Sequence, residues 1–209
     1  MPKIVDHDNR RREIADAMWR LLANTGRRSI TFRALAREAG WSVGSIQHYF
    51  GTQDELLSFA TAEMLATVTA RIGDLDFSNA SNAKLRAALE EILPLDEQRT
   101  AEARIWFELL IRRNDSEFLN RKVNEIDSSV RDLLTEILTA RVELGAVHPD
   151  RDIATEAARL HALVDGLGLH GTADPPVDDV EMVRSVLDVH LAELRNPPAI
   201  WVLGIQRAK

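Results

Sequence analysis

Apolar residues recur along this chain at three- and four-residue intervals almost from end to end, the spacing of helices with one buried face. Ile14, Met18, Leu21 and Leu22 form a first stripe and predict a helix over 10–25, stopped by Gly26. Phe32, Leu35, Ala36 and Ala39 form a second, with Thr31 as N-cap and Gly40 as stop. Ser42 caps a short third helix carrying Val43, Ile46 and Phe50. Thr52-Gln53-Asp54-Glu55 has capping-box spacing just ahead of Leu56-Leu57, and predicts a fourth helix reaching about Arg71. Beyond a Ser/Asn/Asp-rich connection at 73–82, helices are predicted over 83–93, 97–113, 116–144, 151–170 and 178–195. Pro94, the His148-Pro149-Asp150 break and Pro197-Pro198 punctuate them. No window alternates strictly between turn signals, so the expectation is an all-α chain of about nine helices with no sheet.

The stretch from Phe32 to Phe50, FRALAREAGWSVGSIQHYF, has the parts of a helix-turn-helix. Ala36 is the small residue needed where two short helices touch, and Gly40 tolerates the positive φ of a sharp turn. Leu35, Ala39, Val43 and Ile46 are expected to pin both helices to the 10–25 helix. The outer face of the second helix then carries Ser42, Gly44, Ser45, Gln47, His48 and Tyr49. These are short hydrogen-bonding groups, a glycine that permits close approach and two polar aromatics, suited to base edges and phosphates in a major groove. The helix N-terminus also aims N–H groups at phosphate. A plain helical hairpin with a polar face shares the Ala-x-x-x-Gly spacing. The coincidence of small residue, turn glycine, apolar pins and polar face favours double-stranded DNA.

Charge changes the picture further. The whole chain carries −7 at neutral pH, yet residues 1–53 hold nine basic and five acidic side chains, a net +4. The remaining 156 residues therefore carry −11. A basic head on an acidic body suits a polyanion met at one end only. There are no cysteines, which excludes disulfides, Cys-based zinc sites and thiol nucleophiles. No apolar run approaches the ~18 residues of a membrane span, and the polar N-terminus lacks a signal-peptide core, so a cytoplasmic protein is expected.

Residues 10–57 resemble the N-terminal DNA-binding domain of the tetracycline-repressor (TetR) family, through RRREIADAMWRLLANTG, SITFRALAREAGWSVGSIQHYF and the entry DELL. The body is similar to the betaine-regulator (BetI-like) branch through WFELLIRR, ELGAVHPDRD and ALVDGLGL. The resemblance implies a three-helix DNA reader over 1–53 and a helical body over 54–209 that dimerises and binds a small molecule. It implies a homodimeric repressor released from a pseudo-palindromic operator by that molecule, with an activator or ligand-independent regulator as the alternative. Carried over by position, Thr31, Arg33, Ser42 and Tyr49 contact phosphates, and Val43, Gly44, Ser45, Gln47 and His48 face bases or sugar edges. Many members of the family have Lys where this chain has Gln53, which removes one charged phosphate contact. Arg27, Arg28 and the Arg10–Arg12 cluster are candidates to compensate.

The last two predicted helices, with Ala157, Leu160, Val164 and Leu167 on one and Val183, Leu187, Leu191 and Leu194 on the other, suit either the core of a single subunit or a dimer seam, and the resemblance favours the seam. The small residues Ala154, Ala158, Gly166 and Gly168 permit close approach. Trp106, Phe107 and Leu110 are candidate apolar walls of a ligand pocket, with Arg113, His161 and Asp165 as its polar contacts. The identity of that ligand is left open.

Several other chemistries find no support. Gly166-Leu-Gly168-Leu-His-Gly171 matches a dinucleotide fingerprint by letter, but it ends a predicted helix and follows no strand. There is no Gly-x-Ser-x-Gly, His-Glu-x-x-His or phosphate loop, so no enzyme, cofactor or metal is expected. The apolar tail AIWVLGI at 199–205 either packs back on the body or covers a partner subunit.

Overall fold

The computed structural model of the chain describes residues 7–25, 31–75, 81–173 and 176–198, with side chains over 10–21 in the first of these stretches. Gly26, Arg27, Arg28 and the 199–205 tail, each given a part above, lie outside the described residues. Among the described residues there are nine α-helices and no strand. They are α1 (His7–Thr25), α2 (Phe32–Ala39), α3 (Val43–Tyr49), α4 (Gln53–Gly73), α5 (Asn82–Glu90), α6 (Glu97–Arg112), α7 (Glu117–Glu143), α8 (Ile153–Gly171) and α9 (Val180–Glu193).

Each helix from α2 to α9 opens on a Ser, Thr or Asp whose side chain accepts a backbone N–H two or three residues on. A cap of this kind contributes about 1 kcal/mol by satisfying a donor that the first turn leaves orphaned. Thr31, Ser42 and Thr52 are among them, as expected. Glu55 completes the last by accepting from Gly51 N at 2.9 Å, one residue before the cap itself. Gly40 adopts φ +70° and closes α2 with an N–H donated to the Ala36 carbonyl. The predicted 83–93 helix stops early, at Glu90, and residues 91–93 tighten into a turn of i to i−3 bonds. Pro94 has no N–H to continue the helix and restricts the residue before it. It packs instead on the end of α8, where a Cβ at Gly171 would lie 2.3 Å from Pro94 Cγ.

Two apolar cores result. The first joins α1, α2, α3, the start of α4, the middle of α6 and the start of α7, through Ile14, Leu35, Ile46, Leu56, Ile105 and Leu119. The second joins α5, the end of α7, α8 and α9, through Leu89, Leu138, Leu160 and Leu187. Arg86 on α5 pairs with Asp188 on α9 at 2.5 Å, and Glu90 pairs with Arg184 at 3.1 Å, clamping those helices from outside.

These cores correct two expectations. Ala157, Leu160, Val164, Leu167, Val183, Leu187, Leu191 and Leu194 are only 0–7% exposed within the single chain. They are interior residues of the second core, with no surface left to bury against another subunit. The stripe belongs to the subunit interior, and α8 and α9 expose the neighbouring faces, with Ala158, Ala162, Gly166 and Leu169 on one and Met182 and Val189 on the other. Val43 does not pin α3 to α1 either. It is 38% exposed, while Ile46 is fully buried in the first core.

Candidate nucleic-acid interface and interior cavity

The reader presents α3 outward because only Ile46 on that helix is buried. Ser42, Val43, Gly44, Ser45, Gln47 and His48 are exposed together, with Arg33 and Arg37 exposed on α2. Ser42 Oγ accepts Ser45 N at 3.0 Å and lies 2.7 Å from Ser45 Oγ, so the two hydroxyls form one polar edge at the start of α3. A Cβ at Gly44 would meet nothing closer than Ser42 Oγ at 4.0 Å, which leaves the backbone there open to close approach. Thr31 is half-buried and its Oγ1 accepts Ala34 N at 3.1 Å, so its first role is structural. Tyr49 is half-buried too. Its ring tilts against Trp41 at 5.8 Å and meets the edge of His48 at 5.4 Å, which fixes where its hydroxyl points.

The fold adds two arginines to this surface. The Arg10 guanidinium lies 5.0 Å from the centre of the Trp41 ring and pairs with Glu13 at 2.7 Å. Arg11 lies 5.7 Å from the Phe50 ring and reaches the Tyr49 carbonyl at 3.5 Å. The sequence marks them as a basic cluster, and the packing of α1 against α3 puts them at the recognition helix.

Below the reader, α4 to α8 and Arg195 line a cavity of about 1080 Å³ that opens to the surface beside Leu133 and Leu144. Trp106, Phe107, His161 and Asp165 line it, together with Met64, Val68, Ile72, Val130 and Ile137, which periodicity could not tell from core. Trp106 Nε1 donates to Asp165 Oδ1 at 3.4 Å. His161 Nε2 sits between Asp165 Oδ2 at 3.7 Å and Asp127 Oδ1 at 4.0 Å. Burial pushes the Asp165 carboxyl above the usual carboxylate range, and His161 opposes the rise. Glu102 also faces the cavity, but Arg71 holds it with contacts of 2.6 and 2.5 Å.

Leu110 and Arg113 are not part of this wall. Leu110 packs on the first core, one turn beyond Trp106 on α6. Arg113 donates to Asn120 and Asn124 at 3.2 and 3.0 Å. Gly166–Gly171 closes α8 with no strand before it, and Gly168 packs on Phe107, whose ring would sit 3.3 Å from a Cβ there. Among the described residues, no three His, Asp or Glu side chains are grouped to hold a metal, and no helix is long and apolar enough to cross a membrane.

Residues 14–58 match the bacterial regulatory proteins of the tetR family, and residues 81–196 match the C-terminal domain of BetI-type transcriptional repressors. The chain belongs to the TetR family. It is 35% identical over 196 residues to the HTH-type transcriptional regulator PksA of Bacillus subtilis (strain 168), covering 93% of this chain and 94% of that one. A transcriptional regulator from Rhodococcus sp. Rha1 superposes with a TM-score of 0.75 at 29% identity, over 88% of this chain and 95% of the other. The same fold recurs in a regulator from Saccharomonospora viridis solved in complex with choline, with a TM-score of 0.73 at 22% identity, covering 87% and 95%. This TetR-family member is thus a DNA-binding transcriptional regulator, and its relatives are regulators, not enzymes.

Proposed function

We propose that the chain is a homodimeric repressor released from a pseudo-palindromic operator by a small molecule held in the cavity. The observation that carries this is the course of α4. Its first turn packs Leu56 and Leu57 into the reader's core, while Met64, Val68 and Ile72 further along line the cavity. A ligand that favours a different setting of α4 therefore favours a different setting of the reader, which is a population shift. Coupling of about 1–3 kcal/mol between cavity and DNA gives a 5- to 150-fold change in operator affinity.

In this reading the head, 1–53, docks α3 in the major groove and the body, 54–209, carries cavity and dimer contact. Arg33, Ser42, Tyr49 and the Thr31 backbone position phosphates, and Val43, Gly44, Ser45, Gln47 and His48 meet base edges. The dimer forms on the exposed faces of α8 and α9. Gly166 supports this, because a Cβ there meets nothing within 4 Å of its own chain. Leu169 at 55% and Val189 at 57% exposure are the apolar groups such a contact would cover. Two readers then meet half-sites about one helical turn, roughly 34–36 Å, or a multiple of it apart.

The test begins with selection of bound duplexes from a random library, followed by titration of the recovered site by fluorescence anisotropy at several salt concentrations. A pseudo-palindrome bound by two protomers with a steep salt slope is the expected result, as is release on adding cell extract metabolites. Equal affinity for selected and scrambled duplexes would overturn the reading.

A further inference from the structure

The cavity differs in character along its length. We propose that it takes an elongated amphipathic acid, with its carboxylate at Arg141, Lys84 and Arg195, an apolar chain along α7, and a terminal hydroxyl at Asp165 and His161. This rests on the reading of the cavity as the effector site and names the effector's class.

The two ends are far apart on one helix. Asp127 on α7 faces His161, and Arg141 lies fourteen residues further along the same helix. At 1.5 Å per residue that separation is about 21 Å. Between them α7 turns Val130, Leu134 and Ile137 to the cavity. The α7 wall offers no side-chain hydrogen bond, and Glu102 on α6 is already paired with Arg71, so an apolar middle suits the occupant along α7.

The end away from the reader is cationic. Arg141, Lys84 and Arg195 all line it, from α7, α5 and the residues after α9. Arg141 is 4% exposed and donates to the Ser81 carbonyl at 3.4 Å and to Asn82 Oδ1. Burial, and then the neighbouring Arg195 charge, push its guanidinium below the usual arginine pKa. A carboxylate entering between the two would favour both charges, and guanidinium geometry suits it in bidentate fashion.

The end toward the reader is polar without being cationic. Asp165 and Asp127 flank His161, and Trp106 Nε1 is already committed to Asp165. A methyl terminus there would strip water from these groups and return no hydrogen bond. A hydroxyl can donate to the Asp165 carboxylate and accept from the imidazole. At about 1.2 Å per bond of an extended chain, 21 Å spans roughly seventeen bonds. The inward reach of Arg141 and Asp165 shortens this to about fourteen to sixteen carbons.

The experiment compares an ω-hydroxy acid of about fourteen carbons with the plain acid, the plain alcohol and the alkylamine of the same length. Each is titrated below its micellar concentration, with thermal upshift and the change in tryptophan emission that Trp106→Phe removes as readouts of binding. The hydroxy acid should bind about tenfold or more tightly than either the plain acid or the alcohol. Arg141→Met should abolish the advantage of acid over alcohol, and Arg195→Met should reduce it. Asp165→Asn should weaken the preference for the terminal hydroxyl and leave the preference for the acid. Should Arg141→Met fail to fold, the wild-type comparison of acid with alcohol decides. An alcohol that binds as tightly as the acid, or an amine that binds more tightly, overturns the proposal. Operator release is measured separately. Selective binding without release supports the ligand class and counts against the repressor mechanism, whereas no binding by any of these amphiphiles overturns the ligand class alone.

Discussion

Asp54 Oδ1, in the first turn of α4, accepts a hydrogen bond from Arg112 Nη2 at 2.7 Å. Its other oxygen accepts from Ser116 Oγ at 2.8 Å, so one carboxylate ties the helix leaving the reader to the ends of α6 and α7. A negative charge also suits the N-terminus of α4. Asp54→Asn keeps the shape and removes the charge. We expect a loss of about 1 kcal/mol in urea unfolding, since both groups are partly exposed, and a looser reader with lower operator affinity. Unchanged unfolding and unchanged affinity would show that this joint does not position the reader.

The two faces of α9 make opposite predictions. Leu187 is fully buried, so Leu187→Ala should cost about 2–5 kcal/mol by leaving a cavity in the second core. Val189, two residues on, is 57% exposed. Val189→Arg should leave helicity and unfolding of the subunit nearly unchanged and shift the protein to monomer in analytical ultracentrifugation. A variant that stays dimeric would move the contact elsewhere.

On the reader, Gln47→Ala should change preference at particular base positions by about 1–3 kcal/mol if the side chain makes a bidentate base contact. A uniform loss across sequences would assign it to the backbone instead. Tyr49→Phe isolates the phosphate role better than alanine does, because the ring itself packs between Trp41 and His48. It should weaken all duplexes alike. Gln53→Lys adds a positive charge at the start of α4, beside the reader, and should steepen the salt slope by about one counterion. Anisotropy titrations in a salt series read all three.

Asp165 gives a pH dependence of definite sign. Burial raises its folded-state pKa above the usual 3.8, against the opposing charge of His161 and Arg131 and with the help of Asp127. Ionisation therefore penalises the folded state above the folded pKa, and the penalty vanishes below 3.8, where both states are protonated. Asp165→Asn should be more stable than the parent at neutral pH, with the difference closing as the pH falls toward 3.8. Urea midpoints across that range measure it. A difference that does not change with pH would mean the carboxylate is well solvated.

Much of this protein was determined by local chemistry alone. Thr31, Ser42 and Thr52 cap helices because short side-chain oxygens can reach orphaned N–H groups a turn away, and Gly40 turns the chain because it lacks a Cβ. Those interactions span only a few residues, so spacing reveals them. The exposed polar face of α3 follows from the same periodicity once Ile46 is seen to be its buried side.

Which apolar stripe meets which surface is a different question. Leu187 and Val189 are both apolar on one helix, and only the packing of α9 on α5 and α8 makes the first interior and leaves the second exposed. Trp106 and Leu110, one turn apart on α6, both pack against the first core, and of the two only Trp106 also lines the cavity. The cationic end formed by Lys84, Arg141 and Arg195 joins residues over a hundred positions apart, on elements whose meeting no local pattern records. Periodicity says that a residue is on a face, and long-range packing alone decides what that face touches.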